Sequence, residues 1–235
     1  MLTIIIIYFI RKFISSNKLK RGVISYNNVV RVAKIGTLLI LTFFLPTKAQ
    51  LLTYSIFRGD KCIGKLNITR DCKNDSAIYL LRSRAEISLL LHFDINTFHR
   101  NVFFKSKLVE YKLVQKVNEK IKEKKSASWT GSEYIMQNGT NDIRKERKVI
   151  HYTIANMYYN EPKEINQVFS EFFQQFIVIK RLGTHKYLLE FPNGNKATYT
   201  YDKGVCAEVM AETDWVEVQF KLDESRLLYN LITVK

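Results

Sequence analysis

From residue 53 onward the apolar positions recur mostly every second residue, the period of a strand with one buried face. Ala77–Phe93 is the longest clean case. Ala77, Tyr79, Leu81, Ala85, Ile87, Leu89, Leu91 and Phe93 fall on one face; Arg82, Arg84, Glu86, Ser88 and His92 fall on the other. Leu108–Val117 repeats the split, with Val109, Tyr111, Leu113 and Val117 opposite Glu110, Lys112 and Lys116. Shorter alternations predict strands over Tyr54–Phe57, Cys62–Arg70, Thr97–Lys105, Ala127–Gln137 and Val149–Ile154. Arg58-Gly59-Asp60-Lys61, Asp71–Asp75 and Asn138-Gly139 read as turns between them. Asn118–Lys125 reads as a charged turn, and Asn141–Lys148 as a polar loop.

At Pro162 the period changes. Ile165, Val168, Phe169, Phe172, Phe173 and Phe176 form one stripe at helical spacing, with Asn166, Glu171, Gln174 and Gln175 opposite. Pro162 and Glu164 suit a helix start, and Gly183 marks the end of the element. Strands then resume. Tyr187–Phe191, the turn Pro192–Asn195 and Ala197–Tyr201 predict a hairpin, followed by strands at Val205–Glu212 and Trp215–Leu222. The expected fold is mainly β (α+β). It is a curved antiparallel meander or half-barrel of about 9–11 strands wrapping one amphipathic helix at about 163–180.

The first 50 residues differ in kind. Ile35–Leu45 is a short apolar run preceded by Arg31 and Lys34 and followed by Pro46. Small residues Thr47 and Ala49 complete the pattern of a signal peptide at 31–49, cleaved between Ala49 and Gln50. The run is shorter than the roughly 20 residues that span a bilayer, so contact with the membrane is transient. Residues 1–30 carry a second short apolar run and a basic stretch, and read as an upstream extension or a disordered leader. A single β-rich domain over 50–235 follows, in the periplasm or secreted.

Charge sharpens this division. The formal charge of +15 splits into +8 in the first 50 residues, which hold no acid, and +7 over the remainder. Much of the basic excess therefore belongs to the leader. Nucleic-acid binding, which wants its charge on the folded domain, is not expected.

The three cysteines, Cys62, Cys72 and Cys206, form no CxxC or Cys/His cluster, so no metal and no cofactor are expected. If Cys62 and Cys72 sit at the two ends of one strand, they lie roughly 33 Å apart, too far for a disulfide unless the strand folds back; Cys206 could meet either one. His92 and His99 flank a predicted hairpin turn. No catalytic motif appears, so no enzyme is expected.

The order Tyr54, Ile56, Gly59, Ile63, Gly64 near the start, an aromatic segment after Glu161-Pro162, and the closing pattern Leu189-x-Phe191-Pro192-x-Gly194…Tyr199-x-Tyr201-x-x-Gly204 together resemble the DUF6134 family of exported Bacteroidetes proteins. The pattern is more loosely similar to the DUF3108 group of envelope proteins. The resemblance implies a curved antiparallel sheet in a cell-envelope protein and no assigned activity.

The functional expectation is an exported protein that binds a lipid-like amphiphile or an envelope polymer without catalysis. Space between the sheet and the Phe-rich helix would take the hydrophobic ligand. Arg82, Arg84 and His99 would hold an anionic head group, with Trp129 and Phe172 as aromatic contacts. The alternative is a structural domain whose partner is another envelope protein; an enzyme without a recognisable motif is a second alternative.

Overall fold

In the computed structural model the alternating segments form strands, and several polar segments join them. Residues 50–88, 92–140, 142–212 and 216–223 are described; the expected signal segment, including Ala49, and the expected leader before it lie outside them. The strands are β1 (Gln50–Arg58), β2 (Lys61–Lys73), β3 (Ser76–Ser88), β4 (His92–Phe104), β5 (Lys107–Val117), β6 (Lys120–Trp129), β7 (Tyr134–Asn138) and β8 (Asp142–Glu146). A short helix α1 (Ile154–Met157) follows. Then come β9 (Gln167–Ser170), β10 (Gln175–Gly183), β11 (Lys186–Glu190), β12 (Lys196–Asp202), β13 (Val205–Glu212) and β14 (Glu217–Leu222).

All fourteen strands belong to one sheet in the order β8-β7-β6-β5-β4-β3-β2-β1-β14-β13-β12-β11-β10-β9, with antiparallel neighbours throughout. The chain thus runs as two meanders joined side by side through β1 and β14. Its mid-chain strands β8 and β9 end up at the two edges of the sheet. Those edges are drawn together by the β9–β10 turn. Gln174 in that turn donates from Nε2 to the Tyr111 hydroxyl on β5 (2.5 Å) and to the Gln137 carbonyl on β7 (3.1 Å). Lys148, just beyond β8, reaches Gln167 Oε1 on β9 at 2.5 Å. Side chains, not a ladder, therefore close the seam.

The single amphipathic helix at 163–180 is replaced by a hairpin. β9 and β10 pair with Phe169 opposite Phe176 and Val168 opposite Ile177. The stripe misleads because residues seven apart also meet across a hairpin with a four-residue turn. Gln174 at φ +55° breaks any continuous helix there, and Ile177, Val178 and Ile179 continue as a β-branched strand. The charged segments at 118–125 and 141–148 also become strand, as the start of β6 and as β8, so the count exceeds the expected eleven. Val149–Ile154, predicted as a strand, instead enters the interior.

The interior is filled by that crossing segment and by tyrosines. Ile150, Ala155, Met157, Tyr158 and Tyr159 are buried between the walls, together with Tyr54, Tyr111, Tyr134, Tyr187, Tyr199 and Tyr201. The crossing chain has few ladder bonds of its own, so its backbone is satisfied from the walls. Leu108 N–H donates to the Ile150 carbonyl at 2.8 Å, Phe169 N–H to Tyr152 at 2.9 Å, and Cys206 N–H to Tyr158 at 3.1 Å. The Tyr201 hydroxyl donates to the Met157 carbonyl at 2.9 Å, and Ile150 N–H donates to the Tyr134 hydroxyl at 3.2 Å.

β2 and β3 approach closely at Gly64. A Cβ there would lie 2.0 Å from the Arg84 carbonyl oxygen and 2.7 Å from Ala85 Cα. Gly59, at φ +54°, turns β1 into β2. Gly64→Ala is expected to lower stability by about 1–3 kcal/mol through overpacking. Chemical denaturation measures this, and wild-type stability would show that the strands do not approach so closely.

Candidate functional site

Strand parity separates the residues that sequence placed together. Arg82 on β3 pairs with Phe98 on β4, and Leu81 pairs with His99. Arg82 and Arg84 are exposed on the outer face, while Leu81 and His99 are buried on the inner one. One rim holding Arg82, Arg84 and His99 does not exist. His92 and His99 share β4 seven residues apart and also fall on opposite faces, His92 being exposed. Trp129 ends β6, half-buried, with the Lys107 ammonium 4.5 Å from its ring centre. Phe172 sits in the β9–β10 turn, where Lys125 donates to its carbonyl at 2.6 Å and lies 4.4 Å from its ring centre. Gln50 opens β1 and is exposed.

What the structure does assemble around Arg82 and Arg84 is a groove on the outer face of β2–β5. It has a volume of about 410 Å³ and is lined by Lys65, Asn67, Arg82, Arg84, Phe98 and Lys116, among others. Arg84 is held by Glu86 at 3.3 Å and Asp94 at 3.2 Å, and Lys116 reaches Glu119 at 3.9 Å. Lys65 and Arg82 are left without an acidic partner among the described residues. The Arg82 guanidinium lies 5.8 Å from the centre of the Phe98 ring, so the groove has a cationic wall on an aromatic base.

The inner face carries a second polar assembly. Glu171, in the β9–β10 turn, is almost wholly buried. Its Oε1 accepts from Asn101 Nδ2 at 2.6 Å and lies 3.5 Å from His99 Nε2. Asn101 Nδ2 also donates to Thr153 Oγ1 at 2.9 Å, and Thr153 donates from Oγ1 to Asn156 Oδ1 at 2.9 Å. His99 Nε2 and Asn101 Oδ1 have no hydrogen-bond partner among the described residues. This polar thread runs from the seam turn to α1 and fixes the crossing segment to β4. Sequence reading placed Glu171 and Gln174 on a solvent-facing helix side. Strand parity, which puts Asn101 on the same face as His99 and Phe103, was the signal that could have found Asn101.

A third cluster fixes the exit of the crossing segment. Glu161 Oε1 accepts from the Tyr187 hydroxyl at 2.7 Å and lies 2.9 Å from His185 Nδ1. Burial opposes ionisation of Glu161. The hydrogen bonds from Tyr187 and His185, with the charge of Lys163 nearby, outweigh it and hold the carboxyl below its ordinary range. Among the cysteines, Cys62 and Cys72 are exposed and free at opposite ends of β2, and Cys206 is free and buried. Burial pushes the Cys206 thiol up. Among the described residues no three His, Cys, Asp or Glu side chains gather as metal ligands, and no helix is long and apolar enough to cross a membrane.

An antiparallel, barrel-like sheet closed over a crossing segment, with a basic groove outside and a hydrogen-bonded thread inside, defines the class of protein. The chain belongs to the DUF6134 family, described as a domain of unknown function, which matches residues 54–223. The glycines and tyrosines of that stretch make the tight β1–β2 turn, the close β2–β3 approach and the filled interior. Among solved structures it is similar to the "Beta-barrel-like Protein of Domain of Unknown Function DUF1849 from Brucella abortus", at 9% identity and a TM-score of 0.47, covering 74% of this chain and 95% of that one. Comparison with curated proteins gives no match.

Two substitutions test these clusters. Glu171→Ala strands the buried Asn101 amide and is expected to lower stability by about 1–3 kcal/mol, with faster amide exchange in β9 and β10; unchanged exchange there would remove Glu171 from the closure. A carboxyl held low in the folded state stabilises it above the unfolded value and loses that contribution as pH falls. The stability gap between wild type and Glu161→Gln should therefore narrow as pH drops below the ordinary glutamate value of 4.5. Urea titrations at several pH values measure it, and a constant gap would contradict the assignment.

Proposed function

We propose that this chain is an exported, non-catalytic binding module of the cell envelope that holds an anionic group on the outer face of β2–β5. The observation that carries the reading is the groove between Lys65, Arg82 and Lys116 above Phe98. Two of its cations have no acidic partner among the described residues, and the aromatic base suits the apolar part of an amphiphile or the backbone of a polymer. The filled interior favours a ligand held on the surface over one swallowed between sheet and core. The basic leader and the short apolar run ending in Thr47-Lys48-Ala49 support export. A phosphate or carboxylate group is the shared chemistry; an anionic lipid and a soluble polyanion are its two sources.

A second reading rests on another observation. Phe172, Phe173 and Phe191 form a half-buried aromatic group at the seam, with centroid separations of 5.1 Å and 5.3 Å. A patch of this kind suits contact with a partner protein.

The test compares the purified protein on vesicles with and without anionic lipid, and on dextran sulfate, at rising salt. Binding should weaken as salt screens the charges. Lys65→Glu combined with Arg82→Glu should weaken it by about tenfold, or 1.4 kcal/mol, without loss of thermal stability. Equal affinity of the double variant and the wild type would remove the groove from function. Preference for vesicles or for the polymer identifies the source, and fractionation of the host tests export.

A further inference from the structure

A second cavity lies elsewhere and has different chemistry. It opens at one end of the barrel with a volume of about 550 Å³, within the range of small-ligand sites. Three parts of the chain line it: the β2–β3 turn with Asn74, Asp75 and Ser76, the β4–β5 turn with Lys105 and Ser106, and the crossing segment with His151, Tyr152, Asn156 and Asn160. The two turns are tied by Lys105 N–H donating to the Asp75 carbonyl at 2.8 Å. Tyr79 and Phe103 lie at the inner wall, packed edge to face at 5.6 Å.

Its polar groups are partly used within the chain and keep capacity for a ligand. Asn156 spends its Oδ1 on Thr153, accepting from that residue's N–H at 2.8 Å and its Oγ1 at 2.9 Å. Among the described residues its Nδ2 makes no hydrogen bond, and the residue is 7% exposed. His151 directs Nδ1 at the Ser106 carbonyl, 2.9 Å away. Because a carbonyl only accepts, that contact puts a proton on Nδ1 and leaves Nε2 as the ring's other hydrogen-bonding group. Asn160 adds an exposed amide, and Ser76 and Ser106 add hydroxyls that both donate and accept.

The ionic lining groups are one of each sign, Asp75 and Lys105, and the nearby Arg70 guanidinium donates to Asn160 Oδ1 at 3.5 Å. That near balance favours a neutral ligand over a phosphate or a carboxylate. A polyol fits: each of its hydroxyls wants a donor and an acceptor, and its C–H face wants an aromatic edge. We propose that the mouth pocket binds the end of a neutral saccharide. The site stands on its own geometry, separate from the basic groove.

The chain carries its own reporter. Cys72 lines the pocket and is exposed, while Cys62 is exposed at the far end of β2, roughly 33 Å away. Alkylation of the two thiols by a maleimide, followed by peptide mass spectrometry, reads occupancy and its control in one sample. The probes are cellobiose, chitobiose and maltose, each raised to about 50 mM, well past a millimolar Kd. At least one should protect Cys72 saturably and leave Cys62 untouched. Asn160→Ala, an exposed change, should raise the half-saturating concentration several-fold, up to about tenfold for one lost hydrogen bond. Ser76→Trp, which fills the mouth, should abolish protection. The proposal fails if none of the three disaccharides protects Cys72, if both thiols are protected alike, or if Asn160→Ala and Ser76→Trp leave protection unchanged. Loss of polyanion binding in the Lys65→Glu, Arg82→Glu variant leaves this result unaffected, so the two sites are tested separately.

Discussion

An irregular chain that crosses the inside of a sheet must find partners for its own backbone, and the rest of this structure follows from that demand. Between Val149 and Pro162 the chain has one helical turn and little ladder of its own. Strand ends at Leu108, Phe169 and Cys206 donate to it, and tyrosine hydroxyls at positions 134 and 201 supply further partners. This explains why the interior uses tyrosine where an ordinary core would use leucine or phenylalanine. A tyrosine fills volume with its ring and satisfies a carbonyl with its tip. Burial pushes the hydroxyls of Tyr54, Tyr111, Tyr158 and Tyr201 up, so they remain neutral donors at any physiological pH.

The same constraint sorts the polar residues. Those facing inward are spent on closure: Glu171 and Gln174 pass from the seam turn to β4, β5 and β7, and Glu161 locks the exit. The groups left for a ligand lie where the crossing chain meets the barrel's end, or on the outer face where parity turns Lys65, Arg82 and Lys116 to solvent. In the proposed reading, structure and recognition therefore use different faces of the same strands. A charge change in the groove leaves the closure intact, whereas a change at Glu171 does not.

Much of the wall was legible in the sequence. The alternation in β3 and β5 named the buried face correctly at Tyr79, Leu81, Tyr111 and Leu113, and the hairpin around Pro192–Asn195 followed from turn chemistry. Two kinds of element were not legible. β8 and the first half of β6 carry charge on both faces, because they lie at or near an edge with solvent on either side, so no alternation survives. The stretch from Ile165 to Phe176 satisfies helical spacing and hairpin pairing equally, and only tertiary packing decides between them. For the site, Arg82 and Arg84 were readable as an outward pair. Joining them to His99 overlooked that adjacent strands in register place Leu81 and His99 together. The thread from His99 to Asn156 depends on residues up to 70 apart, and no local pattern encodes such contacts.

The pairing of β1 with β14 has a consequence for how the molecule comes into being. Among the described strands β1 has β14 as one of its two neighbours, so the ladder of Tyr54 with Leu222 and Ile56 with Phe220 waits until Glu217–Leu222 has been made. Until then β1 presents a bare edge, and the half built from β1 to β8 has no opposite wall on which to pack. Contacts of such sequence separation make folding slow and leave nascent chains prone to association. β14 is thus the clasp between the two meanders, and a chain truncated just before Glu217 would keep thirteen of the fourteen described strands yet lack the pairing that joins them.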